Sequence, residues 1–512
     1  MKNIRVRFAP SPTGALHIGG VRTALYNYLA VKKHGGTFIL RIEDTDQNRY
    51  VPGAEKYIVE ALQWCGITPE EGPGFGGNYG PYRQSERKDI YAEYAQKLID
   101  SGNAYYAFDT DEELQKIRAE YEADKKVFKY DHTVRNQLNN SLGMTEAEIK
   151  EKLASGIPYT VRLKVPTDET IHVHDLVRNH VQFQSNELDD KIMLKSDGMP
   201  TYHLANVTDD RLMKITHVIR GEEWLPSTAH HVLLYRAFGW EEEMPRFAHL
   251  PLILKPTGKG KLSKRDGAKL GIPVFPLSWE GETPQDSFVG FREFGFDPGA
   301  VINFLAFLGW NPGTEQEIFS LEELGEAFSL EKIGKSGARF DFDKAKWFNQ
   351  QYLIKTDDAE LAKKVRPHVE AAGYTASDDF LRAFVGMLKE RVTFITDFVT
   401  TGYYFFEPVK SYEEKMIRKK WKPENRAKFD ELVTFIQNMQ DFSPANVTEQ
   451  VKNWINEESG LGFGGVLPIL RLATSGTMQG PDVFAMMSLL GKEEVVRRLE
   501  KGYAAFNEIK GV

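Results

Sequence analysis

The sequence predicts an α/β fold: a nucleotide-binding domain on parallel strands, interrupted by an insertion and followed by helical domains. Three observations carry this. A strand, a helix and a second strand follow one another within about the first forty residues. Between about 100 and 190 the pattern changes to charged helices and short strands, and beyond about 325 helical spacing takes over.

Taken in order, Ile4-Arg-Val-Arg-Phe-Ala9 alternates as a strand, and Pro10 to Gly14 is turn chemistry. From Gly19 to Lys33, Ala24, Leu25, Tyr28 and Leu29 recur at helical spacing, and Thr37-Phe-Ile-Leu-Arg-Ile42 is a second strand. This order implies a parallel βαβ unit with its ligand at the C-terminal ends of the strands. The run Gly72-Pro-Gly-Phe-Gly-Gly77 lacks the spacing of a dinucleotide fingerprint and reads as a flexible loop. Asp111 to Lys126 is a charged helix and Tyr159 to Val165 a short strand, both within the insertion. Alternating elements resume with Thr201-Tyr-His-Leu-Ala-Asn206, the strand His217-Val-Ile-Arg220 and the helix Ser227 to Phe238. Lys335-Ser-Gly-Ala338 reads as a linker. After it, Leu381, Phe384, Leu388, Val392 and Ile395 trace one apolar helical face, with similar spacing from Phe484 to Leu499.

A chain of 512 residues is too long for one core, so roughly two to four domains are expected. No apolar run has the length that crosses a bilayer, and the N-terminus enters a strand without the apolar stretch of a signal peptide. A cytoplasmic location is expected. Cys65 is the only cysteine, which excludes an intramolecular disulfide and a multi-cysteine zinc site. The net charge of −8 says little about nucleic-acid partners, because binding follows where Lys and Arg cluster.

Two segments carry the chemistry. In Ser11-Pro-Thr-Gly-Ala-Leu-His17-Ile-Gly-Gly20, small residues open a helix whose free N–H groups suit a phosphate, with His17 placed to reach it as a protonated or hydrogen-bonding imidazole. A lone His-x-Gly is more often a turn with a capping histidine. The strand and Phe8-Ala-Pro-Ser-Pro-Thr-Gly before it favour the functional reading. Lys261-Leu-Ser-Lys264-Arg265 reads as a loop that brings cations to a triphosphate. The four positive charges between Lys259 and Arg265 repel one another without an anionic partner. The chain has no P-loop motif.

In this order the two segments resemble the two motifs of class I aminoacyl-tRNA synthetases, with Leu262 where Met is usual. The words Ile-Glu43-Asp-Thr-Asp46, Thr201-Tyr-His-Leu-Ala-Asn206 and Ile-Arg220-Gly-Glu-Glu-Trp224 resemble the bacterial glutamyl-tRNA synthetases, as does Gly20, where other branches usually have His. The resemblance runs over nearly the whole chain. It implies a Rossmann-like class I catalytic domain at 1–100 and 191–255, a tRNA acceptor-binding insertion at 101–190, a second-motif loop and stem-contact region at 256–325, and a helical anticodon-binding region at 326–512.

The activity implied is ATP-dependent activation of glutamate to glutamyl-adenylate and its transfer to the terminal adenosine of tRNA-Glu. Charging of tRNA-Gln in addition to tRNA-Glu is left open by the sequence. By resemblance, His17 and Lys264 are catalytic, and Arg7, Ala9, Ser11, Glu43, Tyr202, Asn206 and Arg220 line the glutamate pocket. His17, Gly19, Gly20, Glu223, Trp224, Lys261, Ser263, Lys264 and Arg265 take ATP, and Arg391, on a helix with Leu388-Lys-Glu, senses the anticodon. Independently of the family, an arginine fork suits a glutamate carboxylate and Glu43 suits its ammonium. Magnesium is expected with ATP. Some bacterial relatives hold zinc with cysteines after Ala-Tyr in the insertion; here Ala104-Tyr-Tyr-Ala107-Phe-Asp109 and Tyr130-Asp131 have none, so no zinc is expected. A monomer is expected.

Overall fold

The computed structural model describes residues 3–281, 283–284 and 286–511. The chain forms two compact units, one of Met1–Phe294 with Val301–Phe342, the other of Gly295–Ala300 with Asp343–Val512.

In the first unit, β1 (Ile4–Phe8) and β2 (Gly36–Leu40) are parallel, with Phe8 opposite Leu40, and helix α1 (Ile18–His34) connects them. Val21, Leu25 and Leu29 of α1 and Val6, Phe38 and Leu40 of the strands are wholly buried. The βαβ unit is therefore closed by the apolar face that the sequence shows. Two antiparallel pairings link β3 (Ala104–Ala107), β4 (Thr160–Leu163) and, beyond the hairpin β5 (Thr170–Asp175) and β6 (Asn179–Gln184), β7 (Ile192–Leu194). The hairpin itself does not join that sheet. β5 runs alongside β9 (Arg246–Leu250), which pairs in parallel with β8 (His217–Gly221), giving the order β6-β5-β9-β8. Thr216 ties this sheet to β1: its N–H donates to Arg5 O at 2.9 Å, and Arg5 N–H donates to its Oγ1 at 2.8 Å. The C-terminal ends of β1 and β8, which carry Arg7 and Arg220, thus open on one side.

Thr201, whose element the sequence left unassigned, is the N-cap of a helix over Tyr202–Leu212. Two expectations are corrected. The glycine run at 72–77 is pinned, not loose: Gly72 N–H donates to Gly76 O, and a Cβ on Gly77 would stand 2.2 Å from the Tyr82 hydroxyl. The stretch read as a linker contributes β11 (Ala338–Arg339), parallel to β10 (Ile253–Leu254), so the first unit continues to Phe342.

In the insertion, Tyr105, Ala107, Leu114 and Tyr130 form a small core, and the Arg162 guanidinium lies 3.8 Å from the Tyr130 ring. Asp109 accepts from Tyr130 Oη at 2.8 Å and from Asn139 N at 2.9 Å. The polar groups at these positions are spent on internal hydrogen bonds.

The second unit is helical, around Leu361, Phe384, Trp421, Leu432, Trp454, Leu470 and Tyr503. Trp421 stacks on Tyr503 at 5.4 Å and donates to Asn507 Oδ1 at 2.7 Å. The helix read through Ile395 stops at Leu388, because Asp397 accepts from Thr393 N and Phe394 N and starts a new helix at Asp397–Thr401. Arg391 therefore lies in the turn after the helix, exposed, with its N–H on Leu388 O. The face read from Phe484 to Leu499 is two helices, Val483–Leu490 and Lys492–Lys510, broken at Gly491.

Candidate active site

The loop after β1 delivers His17 as the N-cap of α1. Its Nδ1 accepts from Gly19 N–H at 3.1 Å. The half-buried ring stands edge-on to Phe275, and desolvation, with Lys261 and Lys264 nearby, lowers its pKa to about 4. The imidazole is therefore neutral near pH 7, and of the two forms the sequence left open the hydrogen-bonding one is present. Because Nδ1 accepts, the proton sits on Nε2, which has no partner among the described residues. His17 is both a cap and a free donor. Gly20 serves packing as well as access, since a Cβ there would meet Leu16 Cδ1 at 2.5 Å.

The second motif is anchored. Lys255 N–H donates to Gly260 O, Leu262 N–H to Ile253 O, and the Leu262 side chain is buried. Ser263 caps a short helix, Lys264–Leu270, with Asp266 accepting from its Oγ at 2.5 Å. Lys264 thus begins a helix, where a loop was expected. Lys261 pairs with Glu223 at 2.6 Å. Lys264 has no ion-pair partner among the described residues, and its Nζ lies 5.4 Å from the Phe275 ring centre.

Both motifs line one cleft of 820 Å³, with Arg7, Ala9, Ser11, Glu43, Tyr202, Asn206, Arg220, Glu223 and Trp224. Of the residues expected in this site only Arg265 is outside the lining, on the exposed side of its helix turn. Arg391 belongs to the second unit. The lining holds seven arginines and lysines against four carboxylates, so the cleft suits a polyanion although the chain is acidic overall.

The two expected glutamate-binding arginines differ. Arg7 is buried and grips Asp210 with Nε at 2.9 Å and Nη2 at 3.1 Å. Asp210 also takes Arg41 at 2.7 Å, and Arg41 holds Glu43 at 3.0 Å. Asn206 Nδ2 donates to the same Glu43 oxygen at 3.0 Å. Arg220, equally buried, meets only neutral acceptors: Tyr202 Oη at 2.5 Å, Thr228 Oγ1 at 2.8 Å, His249 Nε2 at 3.0 Å and Trp224 O at 3.3 Å. No carboxylate lies within ion-pair distance of it among the described residues. Burial accordingly pulls its pKa below the ordinary arginine value. A buried cation without a counter-charge is costly, and a ligand carboxylate would offset that cost.

Sequence reasoning missed Arg41 and Asp210, which hold Arg7 and Glu43 in place. Both are buried, Asp210 near the C-terminal end of the helix Tyr202–Leu212, and the adjacent carboxylates Asp209-Asp210 were the available signal. It also missed Arg22, whose guanidinium donates to Leu308 O at 2.6 Å and to Pro251 O, tying α1 to the approach to the second motif.

With this geometry in hand, the comparisons are specific. The family model for the catalytic domain of class I tRNA synthetases (E and Q) matches residues 3–347, and one for an anticodon binding domain matches 360–503. A glutamate–tRNA ligase of Flavobacterium johnsoniae is 54% identical over 504 residues, covering 98% of this chain and 99% of the relative. That of Porphyromonas gingivalis ATCC 33277 is 52% identical, with 98% of each chain covered. The crystal structure of a glutamate tRNA ligase from Elizabethkingia meningosepticum in complex with its amino acid superposes with a TM-score of 0.95 at 49% identity, over 99% of this chain and 100% of that one. Matched in both its parts and along its length, the chain belongs to the class I tRNA synthetases and, among them, to the glutamate–tRNA ligase family.

Proposed function

We propose that the cleft between the two motifs activates glutamate with ATP and passes it to tRNA-Glu, and that each site residue acts as follows. Glutamate enters with its side-chain carboxylate toward Arg220 and Arg7 and its ammonium toward Glu43, with Ala9, Ser11, Tyr202 and Asn206 closing the pocket. The single observation that carries this reading is the buried, uncompensated charge of Arg220 facing the cleft. ATP lies along Gly19 and Gly20, with adenosine near Glu223 and Trp224 and phosphates toward Lys261, Ser263, Lys264 and Arg265.

An oxygen of the glutamate α-carboxylate attacks the α-phosphorus, the bond to the bridging oxygen breaks, and pyrophosphate leaves. His17 Nε2–H donates to the phosphate, and Lys264 neutralises the charge that grows on the leaving group. Such preorganised donors lower the barrier because they need no reorientation as charge develops. The 2′-hydroxyl of the terminal adenosine then attacks the activated carbonyl and AMP leaves. No covalent protein nucleophile is required; alignment and charge are the contributions.

Magnesium is read as held mainly by the ATP phosphates, since no group of three or more carboxylates, histidines or cysteines placed to hold a metal occurs among the described residues. The same assignment divides the chain into a catalytic domain at 1–100 and 191–255, an acceptor-binding insertion at 101–190, a stem-contact region at 256–325 and an anticodon-binding region in the second unit, from Asp343 on. No helix among the described residues is long and apolar enough to cross a membrane. We take the enzyme to be cytoplasmic and monomeric.

The test is pyrophosphate–ATP exchange with and without tRNA, paired with charging of tRNA-Glu and tRNA-Gln transcripts. Glutamate-dependent exchange and charging of tRNA-Glu are expected. Exchange supported equally by other amino acids would overturn the pocket assignment.

A further inference from the structure

Behind Arg220 lies a wholly buried pair that neither binds substrate nor belongs to either motif. On β9, His249 stands opposite Arg220 of β8 in the parallel register, with no solvent exposure. Its Nε2 faces Arg220 Nε at 3.0 Å, and its Nδ1 faces Asp175 Oδ2 at 2.6 Å. Arginine has only donors, so Nε2 must accept, and the ring proton must be on Nδ1, donated to Asp175. A doubly protonated ring would set an N–H against the guanidinium. Asp175 is itself locked: Oδ1 accepts from Val177 N at 2.9 Å and Arg178 N at 2.7 Å, while Oδ2 also accepts from His249 N at 3.1 Å.

We propose that Asp175 and His249 are positioning residues for glutamate, acting through Arg220: Asp175 selects the His249 tautomer whose lone pair orients the guanidinium, and the neutral ring keeps the carboxylate from cancelling its charge. A carboxylate placed directly on Arg220 would compete with the substrate carboxylate; one ring further away, it sets orientation and leaves the cation unpaired. Burial lowers the His249 pKa despite Asp175, which agrees with the neutral form. The inference rests on Arg220 gripping glutamate.

The test uses the full chain with Asp175→Asn. The amide oxygen remains for Val177 and Arg178, which hold the hairpin turn, so the amide nitrogen falls toward His249 Nδ1. The ring then carries its proton on Nε2, facing a donor, as when asparagine replaces the aspartate of a histidine–aspartate pair elsewhere. A glutamate KM raised on the order of tenfold to a hundredfold is expected, with the ATP KM unchanged. In histidine-¹⁵N-labelled protein the His249 Nε2 resonance should move from the unprotonated to the protonated position. His249→Gln keeps an acceptor for Arg220 without a tautomer to select; on that background Asp175→Asn should add a factor of about three or less. An unmoved tautomer, equal losses for glutamate and ATP, or independent effects of the two substitutions would overturn the relay. Arg220→Leu separates the two readings. If it raises the glutamate KM while Asp175→Asn does not, the relay alone falls; if it leaves the glutamate KM unchanged, the pocket assignment falls and the relay with it.

Discussion

Replacing Lys264 by alanine separates catalysis from folding more cleanly than any other change in the cleft. Lys264 is exposed, has no ion-pair partner among the described residues, and starts the helix Lys264–Leu270. Its cation–π contact, Nζ at 5.4 Å from the Phe275 ring, is worth about 0.5–1 kcal/mol at an exposed site. Against this, a cation at a helix N-terminus is disfavoured by about 0.3–1 kcal/mol, so the two nearly cancel. In a unit of this size the expected change in Tm is about 2 °C or less. The catalytic loss should be far larger. Removing one preorganised donor of transition-state charge typically costs about 2.7–4 kcal/mol, a factor of roughly 10²–10³. Rapid-quench measurement of single-turnover adenylate formation, with tRNA present, is the direct assay, and the ATP KM should change little because the contact strengthens as pyrophosphate departs. Adenylate formation within about tenfold of the unsubstituted enzyme would remove Lys264 from its role. A large fall in Tm would show that the side chain holds the motif together.

Other outcomes follow from the same geometry. Arg7→Leu should raise the glutamate requirement by roughly 2–5 kcal/mol over that for ATP, and should also lower Tm, because it strips Asp210 of a bidentate partner and leaves only Arg41; Arg220→Leu strands no carboxylate and should lower Tm less. Equal weakening toward both substrates would argue against the pocket. His17, His203 and His217, lowered by burial to about 4, 3 and 4, stay neutral in the folded chain while the unfolded chain protonates near 6.5. The unfolded state then binds more protons as pH falls, so their stabilisation is complete above pH 6.5 and drains away toward pH 4 for His17 and His217 and toward pH 3 for His203; a Tm that stays constant from pH 7 to 4.5 would contradict this. Metal analysis should find no stoichiometric zinc, and chelator inhibition should be reversed by magnesium alone; one tightly held zinc per chain would refute the reading of the insertion. Arg391→Gln should change the relative charging of tRNA-Glu and tRNA-Gln without altering glutamate or ATP requirements, and an unchanged ratio would make Arg391 a solvated surface residue.

The βαβ unit was legible because its periodicities are local: the alternation of Ile4 to Ala9 and the helical spacing of Ala24, Leu25, Tyr28 and Leu29 each arise within a short stretch of chain. The cleft residues were legible through contiguous words around Glu43, Asn206 and Arg220. Element ends were less so. The helix read through Ile395 keeps an apolar residue in step at Val392, yet Asp397 turns the chain, and a side-chain cap leaves no trace in hydrophobic spacing. Hydrogen-bond partners were beyond reach altogether. No spacing rule joins Arg7 to Asp210, 203 positions away, or His249 to Asp175, 74 away. The sequence by itself determined which chemical groups this chain brings to its cleft. Only the tertiary structure decided that Arg7 is charge-balanced while Arg220, among the described residues, is not, that burial holds His17 neutral with its proton on Nε2, and that Lys261 is paired while Lys264 has no ion-pair partner among the described residues. Charge balance and protonation depend on burial and on neighbours brought together by folding, and those distances do not exist until the sheet has closed.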